Sequence, residues 1–353
     1  MKKLLIIFGL LATLLSLAAC GGDLGYYLQC ARGHIDVMQR SVPISNLVAD
    51  PQTPEQLKLR LENVQQMRDF AIFELGLPDN DSYRSYADLD RPYVVWNLVA
   101  AKEFSLQPRK WCFPVAGCVS YKGYFHKDAA TEQAQELRKD GYEVDLYGVQ
   151  AYSTLNWFAD PVLNTFINAS ETRLAGLLFH ELAHQVVYIK GDSAFNEAFA
   201  MTVQMEGVRR WLQSRASTEE WQRYLDHERQ ATLFQHFLRE TRQKLANLYA
   251  RDLPVEEMRR QKQEIIANAL QHYQGLEKTG AIDGRFDRWM AQGLNNARLA
   301  SVATYRDLQP GFQNLLSSCN GDLKLFYQKV EELSRLPRQQ RLATLQQGTP
   351  PKA

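Results

Sequence analysis

The sequence predicts an α+β protein that is mostly helical, with a small antiparallel sheet in its N-terminal half packed on a helical C-terminal half. Strand-like runs occur only between residues 93 and 152, whereas almost everything after Pro161 has helical periodicity. The 353 residues are 45% hydrophobic and 23% charged, which is typical of a globular chain with a sizeable core. The formal net charge of +1, with no dense basic patch, argues against a nucleic-acid partner.

In the first half, two helices precede the strands. The second opens with Thr53 and Pro54, an N-cap residue followed by a proline at the first helical position. Gly, Pro and Asp bound the strand-like runs, and a polar helix crosses between the last two. The predicted helices are residues 26–40, 53–75 and 127–139, and the predicted strand runs are 93–104, 112–125 and 143–152.

In the second half, Gly191 and Asp192 separate a helix over residues 171–189 from one over 194–214. Two long charged helices follow, and then three shorter ones over residues 295–305, 311–319 and 322–333. Residues 337–353 are rich in Gln and Pro and are expected to form a loose tail. We therefore expect one unit over residues 20–336, with an α+β lobe (20–160) and a helical lobe (161–336).

Residues 1–19 have the layout of a signal peptide. Lys2 and Lys3 precede an apolar run that is too short to span a bilayer comfortably. Small residues then lead to Cys20, as in a bacterial lipobox, which predicts a lipidated N-terminus. Gly21 indicates sorting to the periplasmic face of the outer membrane of a Gram-negative bacterium. The alternative is an ordinary secretory signal in which Cys20 falls by chance.

Four cysteines remain if Cys20 is lipidated, and an even number in an exported protein favours disulfides. Cys112 and Cys118 flank a short segment with a proline and a glycine, so they are the first predicted pair. Cys30 and Cys319 are then paired by elimination, among the three pairings that four cysteines allow. Their spacings match no zinc-finger pattern.

The sequence His180-Glu181-Leu182-Ala183-His184 predicts a metal site. Residues four apart lie on one face of a helix, so both histidines can bind one zinc ion. Glu181 beside them can act as the base that takes a proton from an activated water. The bare pattern arises by chance in roughly one chain in a hundred. Here the surroundings are apolar, and burying two histidines and a glutamate without partners would be costly, which argues against two ordinary core histidines.

Glu197 is the predicted third ligand. It lies thirteen positions after His184, beyond the glycine break, on a helix that returns antiparallel to the first. Its apolar neighbours Phe195, Ala198 and Phe199 favour a ligand over a surface glutamate at a helix start, where the helix dipole favours carboxylates. Glu206, nine residues further along, is the fallback ligand.

These residues carry a family resemblance. His-Glu-x-x-His with Asn196-Glu197 resembles the gluzincin, thermolysin-like metallopeptidases. Most of residues 25–330 resembles a bacterial family described as putative zinc aminopeptidases, with lipoprotein members. The resemblance implies a zincin-like helical half, a peptide substrate, one Zn²⁺ held by His180, His184 and Glu197, and Glu181 as base. The matching stretches are residues 26–27, 33–34, 111–118, 151–158, 180–185, 191–200 and 295–298.

One position departs from the thermolysin-like pattern. Those enzymes place an aspartate four residues after the ligand glutamate, where it orients a histidine, and this chain has Met201 there. We therefore expect the partner of that histidine to come from elsewhere. The ligands themselves are unaffected.

The resemblance to gluzincins implies an edge strand for the substrate and an oxyanion donor, and an aminopeptidase must in addition bind the substrate's α-ammonium with carboxylates. Residues 147–155 are the candidate edge strand for pairing with substrate, or else a plain core strand. Tyr305 is the candidate donor to the oxyanion, although a packed core tyrosine is the alternative. Carboxylates available for a substrate α-ammonium are Glu143, Asp145 and Glu171.

Three functions are compatible with these features. The first is a zinc aminopeptidase or a related exopeptidase, and the second is a zinc endopeptidase with a more open groove. The third is a non-catalytic envelope lipoprotein with a structural metal, which leaves Glu181 unexplained. Cobalt or manganese also suits the predicted ligands.

Overall fold

The computed structural model describes residues 24–113, 117–151, 153–154, 157–302 and 308–347. Helices dominate, as the sequence predicts, and a short 3₁₀ turn at Gly284–Phe286 precedes α10. The helices are α1 (Leu24–Gln39), α2 (Ile44–Ala49), α3 (Glu55–Phe73), α4 (Lys127–Lys139), α5 (Asn164–Ile167), α6 (Glu171–Ala183), α7 (Ser193–Ser214), α8 (Thr218–Tyr249), α9 (Val255–Lys278), α10 (Asp287–Met290), α11 (Asn296–Ser301), α12 (Gln309–Ser318), α13 (Leu323–Ser334) and α14 (Arg338–Gln347).

The strands form three small sheets. The strands are β1 (Val42–Pro43), β2 (Ser85–Ala87), β3 (Val95–Lys102), β4 (Trp111–Phe113), β5 (Gly117–Val119), β6 (Lys122–Tyr124), β7 (Tyr142–Val149) and β8 (Val162–Leu163). An antiparallel sheet has the order β6-β3-β7, and β4 pairs with β5 as a hairpin. The third sheet has the order β1-β2-β8, in which β2 and β8 run parallel.

The predicted fold class, α+β and mostly helical, is confirmed. The antiparallel sheet arises from the three strand-like runs of the first half, and α4 is the polar helix that crosses between β6 and β7. The sheet of β1, β2 and β8 was not predicted. Its strands are two or three residues long, too short for alternation of apolar and polar residues to be visible in the sequence.

The main hydrophobic core surrounds α6 and α7, the two helices that carry the predicted metal site. It includes buried side chains from α3 as well as from α12 and α13, so both the 20–160 and the 161–336 segments contribute to it. Gly207 of α7 lets the two central helices approach closely, because a Cβ there would lie 2.7 Å from the Phe179 ring of α6. The predicted metal site is therefore built on two closely packed helices of the main core.

Three smaller clusters complete the interior. One lies inside the α8–α9 hairpin, the second between the β6-β3-β7 sheet and α4, and the third where Val99 and Ala101 of β3 meet Ala297 of α11. Lys262 of α9 links the hairpin to the sheet through an ion pair with Glu143 of β7. Its side chain is only 6% exposed, so this pair is shielded from solvent and fixes the hairpin against the sheet.

The cysteine prediction is half right. Cys112 and Cys118 form the predicted disulfide across the β4–β5 hairpin. Cys30 and Cys319 are free thiols, so their predicted pairing is wrong. Cys30 lies on α1 beside the β6 region, whereas Cys319 is buried in the main core after α12. Pairing by elimination assumes that every thiol has a partner, and the packing of these two helices provides none.

The predicted loose tail is also wrong for residues 338–347, which form helix α14. Leu345 is buried, and its carbonyl lies so close to Gly311 of α12 that a Cβ there would be 2.2 Å away. Arg341 pairs with Asp192 at 2.5 Å, and both side chains are nearly inaccessible. Composition suggested a tail, but the spacing of Arg341 and Leu345 places both on one helix face toward the core.

Replacing Arg341 by alanine is expected to lower the free energy of unfolding by about 3 kcal/mol, because Asp192 is left buried without its cation. Urea unfolding followed by circular dichroism measures the change. Arg338→Ala is the matched control on the same helix, since Arg338 is exposed and its loss should be nearly neutral. Equal midpoints for the two variants would contradict the packing of α14 described here.

Among the described residues, no helix combines the length and the apolar character needed to cross a bilayer.

Candidate active site

Helix α6 presents the first two predicted ligands. The Ser170 side chain caps its N-terminus by accepting a hydrogen bond from the Arg173 N–H at 3.3 Å. The helix ends at Ala183, earlier than the predicted end at residue 189. His184 still keeps helical dihedrals, and its N–H donates to the His180 carbonyl at 3.3 Å. The four-residue relation between the two histidines is therefore preserved although the helix stops there.

The segment between α6 and α7 is held by Asn196. Its side chain accepts from the Ile189 N–H at 2.8 Å and donates to the Ile189 carbonyl at 2.9 Å. Gly191 makes the reversal with φ of +82°, which a residue with a Cβ rarely adopts. Asp192 then caps α7 by accepting from the Phe195 N–H. Asn196 thus fixes the loop, and the adjacent Glu197 is directed to the histidines.

The structure brings His180, His184 and Glu197 together. The two Nε2 atoms are 3.2 Å apart. Glu197 places Oε2 at 3.3 Å from Nε2 of His180, and Oε1 at 3.6 Å from Nε2 of His184. Tetrahedral zinc with bonds of about 2.1 Å has ligand atoms separated by roughly 3.4 Å. The separations of the two imidazole nitrogens from each other and from the Glu197 carboxylate are close to this value, so the three side chains could share one zinc ion.

Two of the three groups, His184 and Glu197, have the protonation state that suits a cation. Burial, and then the nearby His180, lower the pKa of His184 to about 4, so this imidazole is neutral at pH 7. Burial favours protonated Glu197, but the hydrogen bond from His180 and the charges of the two histidines together outweigh it and lower the pKa of that carboxyl. Burial also opposes the charge on His180, but its hydrogen bond to Glu197 raises the pKa of the imidazole. An ionised carboxylate and a neutral imidazole are the protonation states that metal binding requires.

Gln204 orients His180. Its Oε1 lies 3.1 Å from Nδ1 of His180, and an amide oxygen only accepts, so Nδ1 carries the proton and Nε2 is left for a metal. Gln204 on α7 thus supplies the contact that the sequence expects from a residue other than Met201. Nδ1 of His184 is buried without a hydrogen-bond partner in the described part of the chain.

Glu181 lies next to the ligands and borders a cavity of about 480 Å³. Burial raises the pKa of its carboxyl to about 7, opposed by His180 and aided by the negative charges of Glu197 and Asp160. Leu174 and Leu177 of α6 also border this cavity. A carboxylate in these surroundings can accept a proton near neutral pH and release it again.

Asp160 and Tyr83 are site residues that sequence reasoning missed. The negative charge of Asp160 raises the pKa of Glu181, and the negative charge of Glu181 raises the pKa of Tyr83. Both side chains therefore lie near Glu181. Tyr83 is buried with φ of +62°, a strained conformation for a tyrosine, and its N–H donates to the Asp160 carbonyl at 2.7 Å. Asp160 accepts from Ser153 Oγ at 3.2 Å and from the Thr154 N–H at 2.9 Å. Burial raises the pKa of the Asp160 carboxyl.

The loop that carries Tyr83 is anchored from two sides. The buried Arg68 guanidinium donates to the carbonyls of Pro78, Asn80 and Ser82. Gln185, directly after His184, donates to Ser82 Oγ at 3.2 Å and accepts from Asn80 Nδ2 at 2.7 Å. These contacts hold Tyr83 in its strained conformation and connect the loop to the end of the metal-binding segment.

Two tyrosines, Tyr121 and Tyr188, lie near the candidate ligand Glu197. Burial, and then nearby negative groups that include Glu197, raise the pKa of both Tyr121 and Tyr188. The Tyr188 ring lies 6.1 Å from the His184 ring, and Tyr121 follows the disulfide hairpin. For Tyr188, its spacing of four residues from His184 was a signal in the sequence that it lies near the candidate ligands. The sequence contains no such signal for Tyr121. Tyr305, the predicted donor, lies outside the described residues.

The acidic residues that sequence reasoning offered for substrate binding are engaged elsewhere. Glu143 pairs with Lys262, and Asp145 lies 3.6 Å from Arg298. Glu171 accepts from Trp211 Nε1 and pairs with Arg215, both at 3.1 Å. Glu206, the fallback ligand, pairs with Arg209 and Arg210 at 2.6 and 2.7 Å. The only metal-binding cluster within the described residues is His180, His184 and Glu197.

The candidate edge strand is partly described. Residues 147–149 are the end of β7, which is an edge strand in the order β6-β3-β7, whereas Tyr152, Leu155 and Asn156 lie outside the described residues. Residues 147–151 border the same cavity as Glu181. The predicted strand therefore does lie at a sheet edge beside the candidate base.

Comparison with known proteins gives one match. Residues 25–345 match the model of a family described as "Putative aminopeptidase". No curated protein and no solved structure matches the chain.

Proposed function

The chain belongs to the putative aminopeptidase family, and from that premise we propose that it is a zinc-dependent peptidase that removes N-terminal residues from peptides. The observation that carries the proposal is the convergence of His180, His184 and Glu197 on one point beside Glu181. These three residues would hold one zinc ion, which when bound acts as a Lewis acid that makes water more acidic and polarises a carbonyl.

Glu181 is the proposed general base. It takes a proton from the attacking water and delivers it to the leaving amine. Leu174 and Leu177 border the same cavity and limit the access of water to this transfer, and the cavity leaves room for a substrate side chain. Gln204 keeps His180 in the tautomer that leaves Nε2 for the metal.

Asp160 is the proposed anchor of the substrate's α-ammonium group. An aminopeptidase needs a carboxylate close to the base. Two carboxylates, those of Glu197 and Asp160, lie close enough to Glu181 to raise its pKa. Glu197 is assigned to the metal, so Asp160 remains. Its backbone contact with the strained Tyr83 holds this carboxylate in place beside Glu181.

The function is tested with metal-replete protein of measured zinc content. Aminoacyl chromogenic amides with a free amine are expected to be cleaved, N-acetylated peptides are not, and chelation should stop turnover. Asp160→Asn should raise KM for the free amines at least about ten-fold, because a charged hydrogen bond to the ammonium is lost. Absence of cleavage of any peptide would refute a peptidase.

A second candidate, a zinc endopeptidase, is favoured by the open edge of β7 beside Glu181, along which an extended chain could continue. The same assay separates the two. Cleavage of N-acetylated peptides alone would overturn the aminopeptidase proposal and leave the endopeptidase in place.

Tyr188 is the proposed donor to the oxyanion. Tyr188→Phe is expected to lower kcat about 100-fold with little change in KM, because the lost hydroxyl acts only when negative charge develops. Tyr121→Phe is the matched control, because the charge of Glu197 raises the pKa of both tyrosines and both side chains are about half exposed. Steady-state kinetics decides the assignment, and a loss confined to Tyr121→Phe would move the role to that residue.

The proposed location is the cell envelope, with a lipid anchor at Cys20. The Cys112–Cys118 disulfide supports it, because such bonds persist in oxidising compartments. In the full chain, Cys20→Ser is expected to move the protein from the membrane fraction to the soluble fraction. Fractionation followed by immunoblotting measures this, and an unchanged distribution would argue for the ordinary secretory signal.

A further inference from the structure

Strand β7 offers backbone groups to an added strand. The Val149 carbonyl accepts from the Val94 N–H at 2.9 Å, so it faces β3. Because an antiparallel ladder alternates, the N–H and C=O groups of Gly148 and Leu146 point away from β3. Outward-pointing groups on an edge strand pair readily with an extended peptide.

Two cavities lie along this edge. The first is the 480 Å³ cavity beside Glu181, and the second, of about 650 Å³, is bordered by Leu146. Tyr147 and Gly148 border both, so the cavities are neighbours along the strand. The stretches of chain that border them are centred on Val149 and Tyr147, two residues apart, which is about 7 Å at a rise of about 3.3 Å per residue.

The second cavity, called here the basic cavity, is bordered by cations and by no carboxylate of the described residues. Lys127 lies 5.0 Å from the centroid of the Trp96 ring, which forms part of the wall. Within the described residues neither Lys127 nor Arg288 has an ion pair, and Arg91 reaches Asp36 only at 3.5 Å. The cations that border it are Arg91, Lys127 and Arg288, with His126 beside them.

Gly148 shapes the passage between the cavities. A Cβ at this position would lie 2.3 Å from the Tyr93 ring, so only glycine lets that ring lie against the edge strand. Tyr93 borders both cavities, and Phe125 is a further aromatic wall of the basic one. Aromatic walls shield a bound charge from water, which strengthens its attraction to the cations.

We propose that this groove is an extended subsite that selects peptides carrying a carboxylate two to three residues beyond the scissile bond. The proposal rests on the peptidase function proposed above. The peptide pairs with Gly148 and Leu146, and its carboxylate meets Lys127 and Arg288. An aspartate or glutamate side chain and the C-terminus of a short peptide both supply this group.

The test uses tetrapeptides that share a free N-terminus and their first three residues. One has a neutral fourth residue and an amidated end, one has glutamate with an amidated end, and one has a neutral residue with a free carboxylate. Either carboxylate is expected to raise kcat/KM about ten-fold, mostly through KM, since two partly exposed charge contacts are gained. The advantage should shrink in 1 M salt.

The variant Lys127→Glu/Arg288→Glu is expected to lose this preference and to favour lysine at position four. Lys139→Glu is the matched control, because Lys139 is exposed at the other end of the same helix α4 and away from the groove. Aminoacyl chromogenic amides end before the basic cavity, so wild type and variant should cleave them equally.

The outcomes separate the subsite from the function. If the amides are cleaved but all tetrapeptides react alike, the subsite is refuted and the peptidase stands. A preference for only one carboxylate source supports the subsite and identifies its substrate. If nothing is hydrolysed, tryptophan fluorescence decides, with Trp96→Phe as reference. If the tetrapeptides that carry a carboxylate quench the fluorescence of the wild type but not of Trp96→Phe, the result supports a groove that binds peptides. If no such quenching occurs, the proposed subsite is refuted.

Discussion

Replacing Glu181 by glutamine is expected to lower kcat/KM roughly 10³- to 10⁴-fold while the zinc content stays that of the wild type. Glutamine keeps the shape and polarity of the side chain but cannot accept the proton of the attacking water. Glu181 is not one of the three converging ligands, so the metal should remain bound. Steady-state kinetics on an aminoacyl amide, together with metal analysis of the same sample, measures both effects.

Glu181→Asp is the companion variant. It keeps the carboxylate but withdraws it by one methylene, so an intermediate loss of activity is expected. Glu181→Gln that turns over at the wild-type rate would rule out this residue as the base. Loss of zinc from either variant would instead assign Glu181 to the metal rather than to proton transfer.

Replacing Glu197 by alanine is expected to weaken zinc binding more than 100-fold and to abolish turnover. The carboxylate is the one anionic ligand of the trio, and without it two histidines remain. A ligand that binds only the folded state adds about 4 kcal/mol of stability at a thousand times its Kd. The variant should therefore also lose the rise in Tm that zinc produces in the wild type, as scanning calorimetry with and without zinc can show.

Glu206→Ala is the matched control on the same helix. Glu206 pairs with Arg209 and Arg210 and takes no part in the cluster, so this variant should keep its zinc and lose only some stability. If Glu197→Ala kept its zinc and Glu206→Ala lost it, Glu206 and not Glu197 would be the third zinc ligand.

The convergence of the three candidate ligands was predictable because its determinants are local. Two histidines four residues apart share a helix face whatever the rest of the fold does, and apolar neighbours mark that helix as buried. The glycine turn at Gly191, with its positive φ, makes the next helix return, which brings Glu197 back to the histidines. The family resemblance relied on the same residues, and the match over most of the chain agrees with its putative aminopeptidase part.

The rest of the site was not predictable, because it depends on contacts between distant segments. Asp160, Tyr83 and Tyr121 come from three separate loops, and no periodicity links them to the motif. The pairing of Cys30 with Cys319 failed because counting thiols says nothing about distance. The Gln- and Pro-rich composition of residues 337–353 likewise predicted a loose tail. Residues 338–347 form a helix, which is packed against the core through the buried Arg341 and Leu345.

The early end of α6 has a consequence for hydrogen exchange. His184 follows the last residue of that helix, so the segment up to Asp192 is held by side-chain contacts of Gln185, Asp192 and Asn196 and, on the proposed function, by the metal. Removing zinc should therefore open this segment locally while α6 and α7 stay protected in the core. The amides after His184 would then report metal occupancy by their exchange rates, with no substrate present.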